Sequence, residues 1–197
     1  MVNRSFSLIN SNIEDIHIAI LNIFRRWNYS VLENYLAPVE IHLETDIPIG
    51  VHPIDHIVLW QPMNTNGTVL FGNEQDGFDS MTWLLNRINK FEMTRIALDL
   101  DIENDEPEYG MYHSFQHMYA DGTERMVRVM WDDRWDFYEE GEPMPFEQIE
   151  RYSQRLRRKR LTNDMVLDYA KALGWNLRDP AFWTSDRDAW YISVKKY

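Results

Sequence analysis

Between Tyr109 and Pro143 the chain follows a pattern that few folds tolerate. Runs from Met111 to Met118, Arg125 to Trp131 and Arg134 to Glu139 each alternate loosely between apolar and polar side chains, as strands do. Asp121-Gly122, inside the link from Tyr119 to Thr123, supplies the positive φ that a hairpin turn requires. Asp132-Asp133 makes the next turn, and Glu139-Glu140-Gly141-Glu142-Pro143 stops the third run. Strands joined by links this short pair antiparallel, so the segment predicts a three-strand meander. A meander of this kind takes its stability from an apolar face packed against the rest of the chain.

The remaining segments offer helices and further strands for that packing. Ser11 and Glu14 stand at capping-box spacing, and Ile13, Ile16, Ile20, Phe24 and Trp27 follow at helical spacing. They predict a helix over about 12–27 whose last turn carries Arg25 and Arg26, with His17 at the border of its apolar stripe. A second helix is predicted over 79–90, capped by Asp79, with Met81, Trp83, Leu84, Leu85 and Ile88 inward. Strands are expected over 29–43, divided by Pro38, and over 57–60, 68–71 and 94–100. Pro145 and Phe146 open a predicted helix to about Arg158. Thr162 caps another with Met165, Val166, Tyr169, Ala170 and Leu173 inward, and Gly174 ends it. Ala189 to Val194 suits a last strand. The expected fold class is therefore α+β: an antiparallel or mixed sheet containing the meander, packed by helices, with a helical C-terminal section over about 145–180. A chain of 197 residues suits a single domain over 1–197.

Composition narrows the function classes. With no cysteine there is no disulfide framework, thiolate zinc site or cysteine nucleophile. The first residues lack the apolar core of a signal peptide and no apolar run reaches membrane-spanning length, so the expectation is a cytoplasmic protein without a membrane partner. Residues 1–150 hold 27 acidic and 9 basic side chains, a net charge of −18, whereas residues 151–197 hold 5 and 11, a net of +6. So acidic a body is unsuited to nucleic acid and suited to a basic protein partner. The basic run Arg155 to Arg160 is expected to pair internally with the acidic surface. Eight tryptophans supply a core and are also compatible with a homodimer interface.

Candidate chemistry is sparse. His52/His56 and His113/His117 share an i, i+4 spacing that chelates zinc on a helix, but His52 sits in a proline loop and the second pair in a predicted strand, where the residues would stand about 13 Å apart. No metal ligand set and no cofactor is expected. Asp99 and Asp101, with Glu103 or Glu92, are the best carboxylates for a divalent cation, which leaves a carboxylate-dependent metal-using hydrolase as the alternative reading. No phosphate-binding glycine loop, HExxH or GxSxG occurs, so no catalytic residue is assigned.

Two stretches carry a resemblance. Asn73-x-x-Asp76-Gly77-Phe78-Asp79-Ser80, followed by Met81, Thr82 and Trp83, resembles the Asp-Gly-aromatic helix start of small bacterial proteins. Arg128 to Glu147, ending in Glu140-Gly141-Glu142-Pro143-Met144-Pro145-Phe146-Glu147, resembles their strand–turn–strand and following helix start. Proteins of that kind are often immunity proteins paired with secreted antibacterial toxins. The resemblance covers about a sixth of the chain and brings no catalytic residues with it. It implies a non-enzymatic protein that binds a basic toxin and covers its active site. The acidic segments then nominate Asp101, Glu103, Asp105, Glu106, Asp132, Glu139, Glu140 and Glu142 as the charged contact, with Trp131, Trp135 and Tyr138 as aromatic anchors.

Overall fold

A computed structural model describes residues 3–39, 54–74, 76–99 and 112–196. The chain runs β1 (Asn3–Ile9), α1 (Ile13–Arg26), β2 (Ser30–Ala37), β3 (Ile54–Trp60), β4 (Thr68–Gly72), α2 (Asp79–Asn89), β5 (Met93–Asp99), β6 (Tyr112–Met118), β7 (Glu124–Asp132), β8 (Arg134–Glu140), α3 (Asn163–Ala172) and β9 (Ala189–Lys195). The strands form one nine-stranded sheet in the order β2-β9-β3-β4-β1-β5-β6-β7-β8. Every pairing between these strands is antiparallel, and the class is α+β.

The middle strand of that order is β1, a segment for which the sequence reading predicted no element. Phe6 lies opposite both Phe71 of β4 and Ile96 of β5, so β1 joins the two halves of the sheet. The alternation of Ser5, Phe6, Ser7 and Leu8 is strand-like but short, and charged and polar residues precede it.

Each sheet face has its own core. On one, Ile9, Ile57, Leu59, Leu70, Met93, Ile192 and Val194 pack beneath α1 and α2. The stripe Ile13, Ile16, Ile20, Ile23 and Phe24 is buried as its spacing requires. Asn12 rather than Ser11 caps α1: its side-chain oxygen accepts from Asp15 N at 2.8 Å, while the Ser11 carbonyl accepts from Thr68 Oγ1. Trp83 and Ile88 of α2 are exposed, whereas Met81, Thr82, Leu85 and Asn86 are buried and Leu84 packs partly buried against the same core. His17 is buried against Trp190, its ring stacked at 3.8 Å, and its Nε2 contacts Asn34 Oδ1 at 2.8 Å.

On the opposite face Phe6, Leu8, Val69, Ile96, Phe115, Val127 and Val129 are covered by residues from the segment 144–182, among them Met144, Tyr152, Leu161, Val166, Tyr169 and Phe182. The helix expected over 145–158 is absent there. Two 3₁₀ turns, Ile149–Ser153 and Arg157–Lys159, take its place, and α3 follows with Thr162 capping it. The physical reason lies in Glu147. Its carboxylate is turned inward, where Oε1 accepts from Arg125 Nε and Met144 N, and Oε2 from Arg125 Nη2 and Tyr152 Oη.

Arg125 spends all five of its N–H donors here. Besides Glu147 they reach Glu139 Oε2 and the carbonyls of Glu140 and Gly141. Tyr152 then contacts Tyr169 Oη, which accepts from Gln148 N, so the network ties β7 to α3. At Gly141 (φ +81) a side chain would lie 2.2 Å from the Glu124 carbonyl, so glycine lets the chain fold back over the guanidinium. Burial opposes ionisation of Glu147, but Arg125, Met144 N–H and Tyr152 outweigh it and hold its pKa below the ordinary value.

Removing one charge from such a buried pair leaves the other uncompensated. Glu147→Gln should therefore lower unfolding free energy in urea by about 3 kcal/mol, and Arg125→Met combined with Glu147→Leu should recover part of the loss. A Glu147→Gln protein within 1 kcal/mol (roughly the scatter of a surface substitution) of the parent would show that the pair does not anchor the covering segment.

Candidate functional site

The nominated contact residues divide into three groups. Asp101, Glu103, Asp105 and Glu106 lie outside the described residues, as do Asp101 and Glu103 in their role as metal ligands. Glu92 immediately precedes β5, and its Oε1 accepts from Asn10 Nδ2; the side chain of Asp99 lies outside the described residues. His52 lies outside the described residues. His113 and His117 are both buried on β6, with His117 Nδ1 at 2.9 Å from Thr94 Oγ1. Burial depresses both, His113 to about 4, against the opposing effects of its hydrogen bond to Asn163 and of the Glu92 charge beside His117 respectively. Among the described residues no group of three or more His, Cys, Asp or Glu is placed to hold a metal ion.

The remaining nominees follow β8, the last strand of the sheet order. Asp132, Glu139, Glu140 and Glu142 are exposed, as are the neighbouring Asp133 and Asp136, which are not among the nominees. The strand separates them: a seven-residue β8 places Asp132 and Glu140 about 20 Å apart. The pleat also separates the aromatics. Trp131 and Trp135 lie opposite each other with rings 5.5 Å apart on the face that carries Phe137 and Glu139, whereas Tyr138 stands on the other face, under the Arg128 guanidinium. The three do not form one anchor cluster. Glu139 is committed inward to Arg125, and Asp136 pairs with Arg157 at 3.1 Å. Arg160 lies over the Phe137 ring, so part of the basic run pairs internally, as its sequence context predicts.

A different site is built where the layer of α1 and α2 meets the sheet. A cavity of about 550 Å³ is lined by Trp27 and Tyr29 beyond α1, Phe78, Ser80 and Met81 at the start of α2, and the charged groups Asp55, Glu74, Asp76, Asp79 and Lys196. The loop entering α2 is pinned to β3 by Asn73, whose side chain accepts from His56 N at 2.8 Å and donates to the Ile54 carbonyl at 3.0 Å. Asp76 Oδ1 accepts from Phe78 N at 2.9 Å, and Gly77 and Phe78 are both left-handed, a conformation that is strained for the phenylalanine. Phe78, not Asp79, occupies the cap position of α2, and Asp79 is paired with Arg95.

Asp55 is the informative group. It is 1% exposed and follows the alternation of Ile57 and Leu59, so the strand carries a carboxylate into an apolar face. Lys196 Nζ lies 3.2 Å from its Oδ1 and contacts Glu74 as well. Burial, together with the hydrogen bond to Glu74, pushes Asp55 up to about 6 against the pull of Lys196. Burial works against the Lys196 charge too, but Glu74 and Asp55 raise its pKa. The sequence reading missed this cluster, since it began the strand at Ile57; a charge in phase with inward apolar residues was the signal available.

A raised carboxyl pKa means that the folded protein holds a proton the unfolded chain has lost. Asp55 therefore stabilises the fold most at low pH, and that contribution is lost as pH rises from about 4 through about 6. Asp55→Asn should flatten the stability profile between pH 4 and 7 by on the order of 2 kcal/mol in urea titrations; an unchanged profile would mean that Asp55 titrates normally. Compared with known proteins, the chain matches no family model, no curated protein and no solved structure.

Proposed function

We propose that this is a non-enzymatic protein-binding protein of the immunity kind, which engages a basic partner along the acidic β8 edge and neutralises it by covering its active site. The observation that carries the reading is the group of exposed carboxylates on and beside a terminal strand: Asp132, Glu140 and Glu142 flank or end β8, with Tyr138 exposed among them. An edge strand offers backbone donors and acceptors to a second chain. Like charges along it oppose pairing with a second copy, so the favoured occupant is cationic. The toxin as partner class rests on the resemblance of the stretches at 73–83 and 128–147, and the acidic segment 101–108 supplies further charge.

The face toward Tyr138 suits this role better than the face of the tryptophan pair, because Trp131 and Trp135 are half-buried and Glu139 is held by Arg125. No helix among the described residues is long and apolar enough to cross a membrane.

Pull-down from its own source at low and moderate salt should retain a basic protein that is toxic when expressed alone. With that partner, the combined variant Asp132→Lys, Glu140→Lys and Glu142→Lys should slow association by about tenfold or more and reduce its salt dependence in stopped-flow measurements. The reading fails if no such partner is retained at either salt, or if the reversed charges leave association unchanged.

A further inference from the structure

We infer that β2, at the opposite edge of the sheet from β8, is a self-association site. Two copies of the chain pair antiparallel through β2, about a two-fold axis at Asn34, into one continuous sheet. The acidic β8 edges then lie at its two outer ends, free for a different partner.

The two edges are built differently. β2 pairs with β9 on one side, and among the described residues no strand pairs with its other side. Sheet edges are ordinarily kept single by charged side chains, by proline, by bulges or by brevity. β8 follows that rule with its carboxylates. β2 is eight residues long, with one charged side chain, Glu33, and neither lysine nor proline. The one protective device present is a register shift between Val31 and Glu33, at the start of the strand, which leaves Glu33 to Ala37 in regular register with β9. Val31, Leu32, Tyr35 and Leu36 are 44, 50, 49 and 51% exposed. Four large apolar side chains on a bare edge form a surface that a second strand covers favourably.

The strand's own sequence identifies the occupant as a second copy. Antiparallel pairing about Asn34 sets Leu32 opposite Leu36 and Glu33 opposite Tyr35, each twice by symmetry. Apolar side chains then meet apolar ones on the face that Asn34 and Leu36 share with Ile192 and Trp190, and Glu33 avoids its own copy. A cationic partner finds little here, since the single carboxylate already accepts from Ser193 Oγ at 3.0 Å. The edge is also held in shape from behind. Asn34 Oδ1 lies 2.8 Å from His17 Nε2, and the Tyr35 ring stacks on Tyr191 at 5.4 Å, so pairing requires little further ordering. None of the eight tryptophans lies on β2, so the dimer rests on aliphatic and tyrosine side chains.

The test is sedimentation velocity of the full-length protein across a concentration series. A reversible monomer–dimer equilibrium is expected, with a Kd on the order of 10–100 μM for so small an interface. Each copy carries a net charge of −12, so raising salt should strengthen the dimer by screening repulsion. The combined variant Leu32→Lys and Leu36→Lys should weaken it about tenfold or more. Both side chains are exposed, and the added lysines lower the net repulsion, so the loss reports on the edge itself. Register is read by disulfide trapping, since the chain has no cysteine of its own. Opposite residues of an antiparallel pair stand about 4.5–5.5 Å apart at Cα, within disulfide reach. Asn34→Cys should therefore cross-link on mild oxidation and Met63→Cys, exposed elsewhere, should not. A protein that stays monomeric throughout the series overturns the inference, and protection of the β2 amides from hydrogen exchange in that monomer would show the edge to be covered by its own chain. A dimer that survives the double lysine variant, or that weakens as salt rises, also overturns it, because its interface lies elsewhere.

Discussion

The buried contact between Arg125 and Glu147 holds two parts of the molecule that have no other reason to meet in this register. A guanidinium with five donors and a carboxylate with four acceptor positions fill one another's needs almost completely, and the remaining donors close on two backbone carbonyls and Glu139. Burying either charge alone would be prohibitive. The arrangement therefore exists only when residues 139–147 wrap the end of β7, and that wrapping delivers Tyr152 and Tyr169 to the sheet. The apolar cover over Phe115, Val127 and Val129 depends on that delivery.

This geometry also accounts for the character of the nominated edge. Glu139 belongs to the interior network although its side chain is partly exposed, whereas Glu140 and Glu142 face outward from the same turn. Alternation along β8 sends Trp135 and Phe137 toward the covering segment and Asp136, Tyr138 and Glu140 to the other face. One strand thus contributes to the core and presents charge to solvent, a division set by the pleat with its period of two. The cavity near Lys196 has a related origin: the same alternation carries Asp55 inward, where it is tolerated through Glu74 and Lys196.

Local patterns were the legible part. The helices α1 and α3 follow from apolar spacing and end signals, and β3, β4, β5 and β9 from short β-branched and aromatic runs. Illegible were features whose cause lies far along the chain. Residues 145–158 have apolar spacing compatible with a helix, but Glu147 is drawn into the sheet by an arginine 22 residues earlier. The central place of β1 was hidden because Phe6 and Leu8 are the only large apolar residues in its interior alternation, and its stability comes from two neighbouring strands instead of its own propensity.

By itself, then, the sequence determined the α+β class, the acidic character with its basic C-terminal part, and the approximate place of most elements, because each depends on residues within a few positions of one another. Strand order, the choice of 3₁₀ turns over a helix, the splitting of the aromatic nominees between two faces and the assembly of Asp55, Glu74 and Lys196 were decided only by tertiary structure. Asp55 and Lys196 are separated by most of the chain and meet only because β9 inserts between β2 and β3. Periodicity says which side of a strand a residue occupies, but not which distant strand will lie beside it; the cores of both faces, formed together, make that choice.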